Sequence, residues 1–455
     1  MDKKENIMGT RPVNTLLMGM AFPIMLSMLV QALYNIVDSI FVAMLSENAL
    51  TAVSLAFPVQ NLMIAVSVGT AVGINALLSR RLGEKNKEAA NKVAENGIFV
   101  TVLSWLAFAV FGILCSDWFF SSFTQIEEIA IEGAKYLRIC TIFSIGLFIQ
   151  ITMERILQVT GKTIYQMVAQ LAGALTNIIL DPILIFGLLG CPKMGVTGAA
   201  VATVIGQLVG MFLALGINHF KNHEVRMSFK GFKPDMFSIR GIYRVGLPSI
   251  VMQSIGSVMV FGMNKILIQF TETAVTVFGV YFKLQSFVFM PVFGITNAMV
   301  PIIAYNYGAR SRARISGTIR MSLIMTTAVM LLGTIIFQLM PNALLQMFNP
   351  TAAMMEIGVP ALKIISASFL FTGVSIVLSS VFQALGDGML SLIMSVIRQM
   401  VLILPIAWIL ATFVGRDAVW YSCVIAEAAC FVLAIIFYVR IRHKKLDNIK
   451  TISFD

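Results

Sequence analysis

Residues 14–45 read NTLLMGMAFPIMLSMLVQALYNIVDSIFVAML, thirty-two positions holding one charged side chain, Asp38. A helix needs ~20 apolar residues to cross the hydrocarbon of a bilayer, so this stretch is a membrane span with an acid inside it. A second stretch, MVAQLAGALTNIILDPILIFGLLG at 167–190, has the same character around Asp181. An ionised group at membrane depth costs about 2.5–3.5 kcal/mol on insertion scales, so two buried carboxylates point to a task.

The rest of the chain follows the pattern of these two runs. Of its 455 residues, 58% are apolar and 12% charged, with mean hydropathy +0.88. Twelve apolar stretches are long enough to span: 15–45, 50–78, 95–121, 131–158, 164–188, 195–218, 241–268, 275–304, 317–340, 357–384, 389–413 and 418–440. Alternating strand patterning is missing, which excludes a membrane barrel. The first run is too long and too poor in A-x-A signals for a cleaved signal peptide and is expected to remain as the first helix. The five cysteines show neither CxxC nor Cys/His spacing, so they read as small hydrophobes in helix packing.

A net charge of +11 on a soluble chain suggests nucleic acid, but here the charge sorts by loop. With the N-terminus inside, 25 of the 33 basic residues fall in inner segments, among them Lys3, Lys4, Arg80, Arg81, Arg310, Arg312 and Lys450. Outer loops carry Lys135, Lys193 and Arg416 among acids such as Glu47, Asp117 and Glu127. The positive-inside rule therefore places both termini in the cytoplasm of a cell whose plasma (inner) membrane holds the protein, and no nucleic-acid partner is expected.

Laid on itself at an offset of 225 residues, the chain pairs Pro23 with Pro248, Ala49 with Ala274, Gly69 with Gly294, Gly83 with Gly308 and Gly161 with Gly386. The expected fold is an all-α membrane protein of twelve transmembrane helices in two six-helix bundles. An even number per bundle makes their pseudo-two-fold axis run along the membrane normal, as in transporters with parallel repeats. The expected divisions are an N-lobe at 1–218, a basic linker at 219–240 and a C-lobe at 241–455. Two lobes around a cleft favour a secondary transporter; no Walker A sequence is present, so an ion gradient must supply the energy, and an enzyme is not expected.

Topology places Asp38 in helix 1, Asp181 in helix 5 and Thr203 in helix 6 at one depth, roughly 10–12 Å below the outer helix ends. Asn177 lies one turn from Asp181 on the same face. Pro182 frees the carbonyl of Ile178, adding a main-chain oxygen. Asp38, Asn177, Asp181 and Thr203 thus form an oxygen-rich set suited to sodium or a proton, with no other cofactor.

At these residues the chain resembles the multidrug and toxic compound extrusion (MATE) family, in its DinF-like prokaryotic branch. The resemblance is carried by AFPIMLSMLVQALYNIVDSIFV, SRRLGEKN, QVTGKT, TNIILDPILIFG and GVTGAAVATVIGQ, with YNYGAR and QALGDG as counterparts in the second half. It implies antiport of sodium or protons against amphipathic, often cationic, drugs or dyes by a protein surrounded by membrane lipid, with a monomer expected. It also implies that Asp38, Asn177, Asp181 and Thr203 bind the cation. The second half departs from the NorM-like branch: Met263 stands where Asp38 has its repeat partner. Expected polar contacts of a substrate cleft are Gln31, Tyr34, Asn35, Gln60, Asn264, Tyr281, Lys283, Gln285, Arg398 and Glu427. A flippase for a lipid-linked saccharide is the alternative function; it requires a strongly cationic cleft.

Overall fold

Gly161 and Gly386 follow helix ends at matching places in the two halves, and the matched prolines Pro23 and Pro248 lie inside helices. The structure, a computed structural model, describes residues 6–348 and 350–449. Lys3, Lys4 and Lys450, and the side chains of Asn35 and Glu47, lie outside the described residues.

Among the described residues ten helices are long and apolar enough to cross a membrane, and two bent helix pairs make twelve spans. They are α1 (Val13–Ala43), α2 (Glu47–Gly83), α3 (Lys87–Phe123), α4 (Glu127–Ile142 with Ile145–Val159), α5 (Thr163–Phe186) and α6 (Val196–Lys221). The second six are α7 (Met236–Leu267), α8 (Glu272–Gly308), α9 (Arg312–Leu339), α10 (Ala352–Ser366 with Phe369–Ala384), α11 (Gly388–Phe413) and α12 (Tyr421–Ile441). The protein is therefore an all-helical, multi-pass membrane protein.

The repeat is written into the backbone. Ser46 Oγ accepts from the Ala49 N–H at 3.0 Å to start α2, and Thr271 Oγ1 accepts from the Ala274 N–H at 3.1 Å to start α8. Both hydroxyls satisfy an amide that no intrahelical carbonyl can reach. Lys85 and Arg310, each at φ 56°, hold the same left-handed position after α2 and α8. Gly161 (φ 73°) and Gly386 (φ 80°) do so after α4 and α10, where glycine carries no Cβ penalty.

The sequence reading expected α4 and α10 as continuous helices, whereas they bend by 41° and 49°. At each break a serine hydroxyl turns back on its own helix: Ser144 Oγ donates to the Thr141 carbonyl and Ser368 Oγ to the Ile365 carbonyl, both at 2.7 Å. Such bonds compete with the backbone ladder and bend helices without any proline.

The described residues form two compact units. The first takes in the chain up to Thr10 and Leu26–Ile250; the second takes in Arg11–Met25 and the chain from Val251 onward. The first halves of α1 and α7 thus belong with the opposite repeat from their second halves. In both helices a proline lies two residues before the change, Pro23 and Pro248. Each interrupts the hydrogen-bond ladder there. The first unit packs Phe120, Tyr136, Leu137, Ile185 and Val196 among alanines. The second has an aromatic core in which Phe369 meets Phe289 and Phe337, ring centres 5.4 and 5.2 Å away.

Candidate functional site

Two glycines bring α5 and α6 together. A Cβ on Gly206 would lie 2.7 Å from the Gly173 carbonyl oxygen and 3.1 Å from Asn177 Cβ. Only hydrogen fits, so the two backbones touch, as small residues allow between membrane helices. That approach puts Thr203, one turn before Gly206, beside Asn177.

Asn177 and Asp181 are buried, at 3% and 0% exposure. Asn177 Nδ2 lies 3.3 Å from Asp181 Oδ1 and 3.4 Å from Thr203 Oγ1. With the amide turned over, it donates to Asp181 Oδ2 at 3.3 Å and its oxygen accepts from the Thr203 N–H at 3.2 Å. In either orientation Asn177 bridges α5 to Thr203 of α6. Asp38 of α1 completes the group: its carboxyl is within hydrogen-bonding reach of the Asp181 carboxyl. Its Oδ1 is buried and has no partner among the described residues. The four residues expected to act together are therefore brought together, all within the first unit.

Further groups surround them that the depth argument did not include. Tyr34, expected in a substrate cleft, stands beside both carboxyls. Tyr136 and Cys140, one turn apart on α4, face Asp38. Gln60 Nε2 donates to the Tyr136 hydroxyl at 3.1 Å, so this contact residue is tied to the acid pair. Tyr136 and Cys140 lie deeper in α4, more than two turns past its start at Glu127, so depth alone does not group them with Asp38 and Asp181.

The remaining expected contacts scatter. Gln31 Oε1 accepts from Gln170 Nε2 at 2.6 Å, fastening α1 to α5. Asn264 is half-buried and Lys283 exposed. Tyr281 is 5% exposed and packs in the aromatic core of the second unit. Gln285 Oε1 is buried with no partner among the described residues. Arg398 and Glu427 pair loosely, Nη1 to Oε1 at 3.7 Å. The side chain of Asn35 lies outside the described residues.

Two carboxylates in contact repel, and a cation or a shared proton relieves the repulsion. Around this pair stand an amide, the Thr203 hydroxyl and the Tyr34 phenol, neutral hydrogen-bonding groups of the kind that hold a hard monovalent ion or relay a proton. Among the described residues no group of three or more His, Cys, Asp or Glu is placed to hold a metal.

A repeated helical bundle with a carboxylate pair in one membrane unit defines a membrane transporter. The family model MatE matches residues 23–183 and then 248–409, the second match beginning 225 residues after the first, in register with the repeat. A multidrug export protein of Staphylococcus haemolyticus is 26% identical over 430 residues, 94% of each chain. A solved multidrug resistance MATE family transporter in an outward-facing conformation superposes with TM-score 0.91 at 25% identity, covering 98% of this chain and 99% of that one. A transporter of the MOP superfamily from Pyrococcus furiosus gives 0.90 at 25% identity, covering 98% and 100%. The chain belongs to the MATE family.

Proposed function

We propose that the protein exports amphipathic, often cationic, organic compounds in exchange for sodium or protons entering at Asp38 and Asp181, acting as a monomer in the plasma membrane with both termini cytoplasmic. The contact between the two carboxyls, with Asn177 and Thr203 bridged beside them, is the observation that carries this reading. A cation arriving from outside cancels the repulsion of the pair and tightens α1 against α5 and α6. Departure of the cation restores the repulsion and loosens α1. Coupling requires only that drug and cation favour different states of the protein. The ion is cargo: it binds, moves through and leaves.

The reading is tested with Asp181→Asn in everted vesicles carrying a fluorescent cationic dye. Wild type extrudes dye when a sodium or proton gradient is imposed. The variant should insert normally and lose gradient-driven extrusion, at least tenfold. Undiminished extrusion by Asp181→Asn would remove the pair from the mechanism. Running the two gradients separately identifies the coupling ion.

A further inference from the structure

The second unit lacks the aspartates, yet a charged pair lies between α11 and α12, the repeat counterparts of α5 and α6, which carry Asp181 and Thr203. Glu427 of α12 is 225 residues after Ala202, the neighbour of Thr203. It is 8% exposed, and its Oε2 is buried without a hydrogen-bond partner among the described residues. Its Oε1 is 3.7 Å from Nη1 of Arg398 in α11, beyond hydrogen-bond range and therefore a loose pair. A buried carboxylate oxygen left open is costly, and structures keep few of them.

The arginine sits on backbone with slack. Residues Ile397–Ile403 wind as a π-helix in mid-span. Pro405 explains it: the ring cannot donate to the Val401 carbonyl and crowds it, so the ladder widens by one residue. Single π-turns inside helices are places where a side chain can be re-aimed. The Arg398 side chain is 26% exposed, so the pair is not sealed.

The groups facing Glu427 are few. Thr372 of α10 reaches its carboxyl, Tyr281 comes from α8, and Cys423 and Cys430 flank it on α12. Among the other elements packed on α12, the first half of α10 carries Glu356 and Lys363, and the turn before α12 carries Arg416 and Asp417. Arg416 pairs there with Glu356 at 3.8 Å and with Asp417 at 2.9 Å. A metal ion would meet the guanidinium at once, with the Thr372 hydroxyl and the Tyr281 phenol as neighbouring neutral oxygens. A proton meets no such obstacle.

We propose that Glu427 and Arg398 form a second proton-exchange site, in which a proton arriving at the free Glu427 oxygen releases Arg398 from its pair. An O–H bond forms at Oε2, the proton comes from water, Arg398 keeps its own proton, and the pair changes from neutral to singly positive. The site is separate from the Asp38–Asp181 pair and does not depend on the role given to that pair.

Infrared difference spectra of the full-length protein in detergent, taken between about pH 5 and about pH 9, read protonated carboxyl groups directly. Glu427→Gln should lose one protonated-carboxyl band that Asp181→Asn retains. A Glu427→Gln spectrum identical to wild type across that range overturns the proposal. Should Glu427→Gln fail to insert, Arg398→Lys serves: its altered charge geometry should move the midpoint of the same band. A midpoint unchanged from wild type overturns the proposal equally.

Discussion

Gly69 lies against the backbone of Ile250, where a Cβ would come within 2.7 Å of the Ile250 nitrogen. In the second unit Gly294, its partner in the repeat, meets Met25 in the same manner, with a Cβ 2.9 Å from Met25 Cα. Ile250 and Met25 are the residues at which α7 and α1 change unit. The glycine pair that revealed the repeat therefore marks the same crossing contact twice. Gly69→Val should push the α7 backbone away and destabilise the folded protein by about 1–3 kcal/mol, the usual cost of overpacking. Gly294→Val should cost a similar amount, whereas Gly19→Val, where a Cβ meets nothing within 4 Å, should not. Thermal unfolding in detergent measures all three; a Gly69→Val protein as stable as wild type would show that the crossing helix tolerates displacement.

Gly206→Leu tests how the acid site is assembled. The added side chain collides with the Gly173 carbonyl and Asn177, forcing α5 and α6 apart and breaking the link to Thr203. Gradient-driven efflux should fall at least tenfold while the amount of protein inserted in the membrane is unchanged. Thr203→Ser, which keeps the hydroxyl, should remain near wild type. Equal losses in Gly206→Leu and Gly216→Leu, the latter a position with open space around it, would trace the defect to helix perturbation in general.

Much of this was legible because proline and glycine are chemically conspicuous in an apolar chain. Pro23, Pro248, Gly69 and Gly294 carried the repeat, and hydropathy carried the twelve spans. Asp38, Asn177, Asp181 and Thr203 could be grouped because a helix converts residue number into depth. The bends of α4 and α10 were not legible, since Ser144 and Ser368 make them by local hydroxyl bonds that a serine elsewhere in a helix need not form. Nor was the change of unit within α1 and α7: both halves of each helix are equally apolar, and only packing decides which neighbours they keep. Tyr136 escaped notice because an aromatic in a membrane helix is usually packing.

The loop after α6 provides a pH test. Glu224 accepts from Asn6 Nδ2 and lies near Lys162. Burial raises its pKa, an effect that exceeds the opposing pull of Lys162 and Asn6. The folded chain thus holds this proton more tightly than the unfolded chain does. The resulting stabilisation is full below the ordinary glutamate value of about 4.3 and is lost as pH rises through the raised folded value. Glu224→Gln should flatten that part of the stability profile and be at least as stable as wild type at neutral pH. Melting curves from about pH 4 to about pH 8 decide it, and a mutant that keeps the wild-type slope would assign the dependence to another group.

Tyr136→Phe isolates the contribution of α4 to the acid site. The phenol accepts from Gln60 Nε2 at 3.1 Å while facing Asp38, and Tyr136 itself is 2% exposed. Removing one hydroxyl leaves the ring packing intact and the Gln60 amide without this acceptor, a loss of about 1–3 kcal/mol if no water replaces it. If the phenol also orients Asp38, the cation concentration for half-maximal efflux should rise several-fold with the maximal rate little changed, because the defect lies in binding the ion. Gln60→Leu together with Tyr136→Phe replaces both partners with apolar groups and should recover the lost stability without restoring cation affinity. Recovery of both properties in the double variant would reduce the phenol to a packing role; recovery of stability alone would establish that Tyr136 acts on the carboxylate pair.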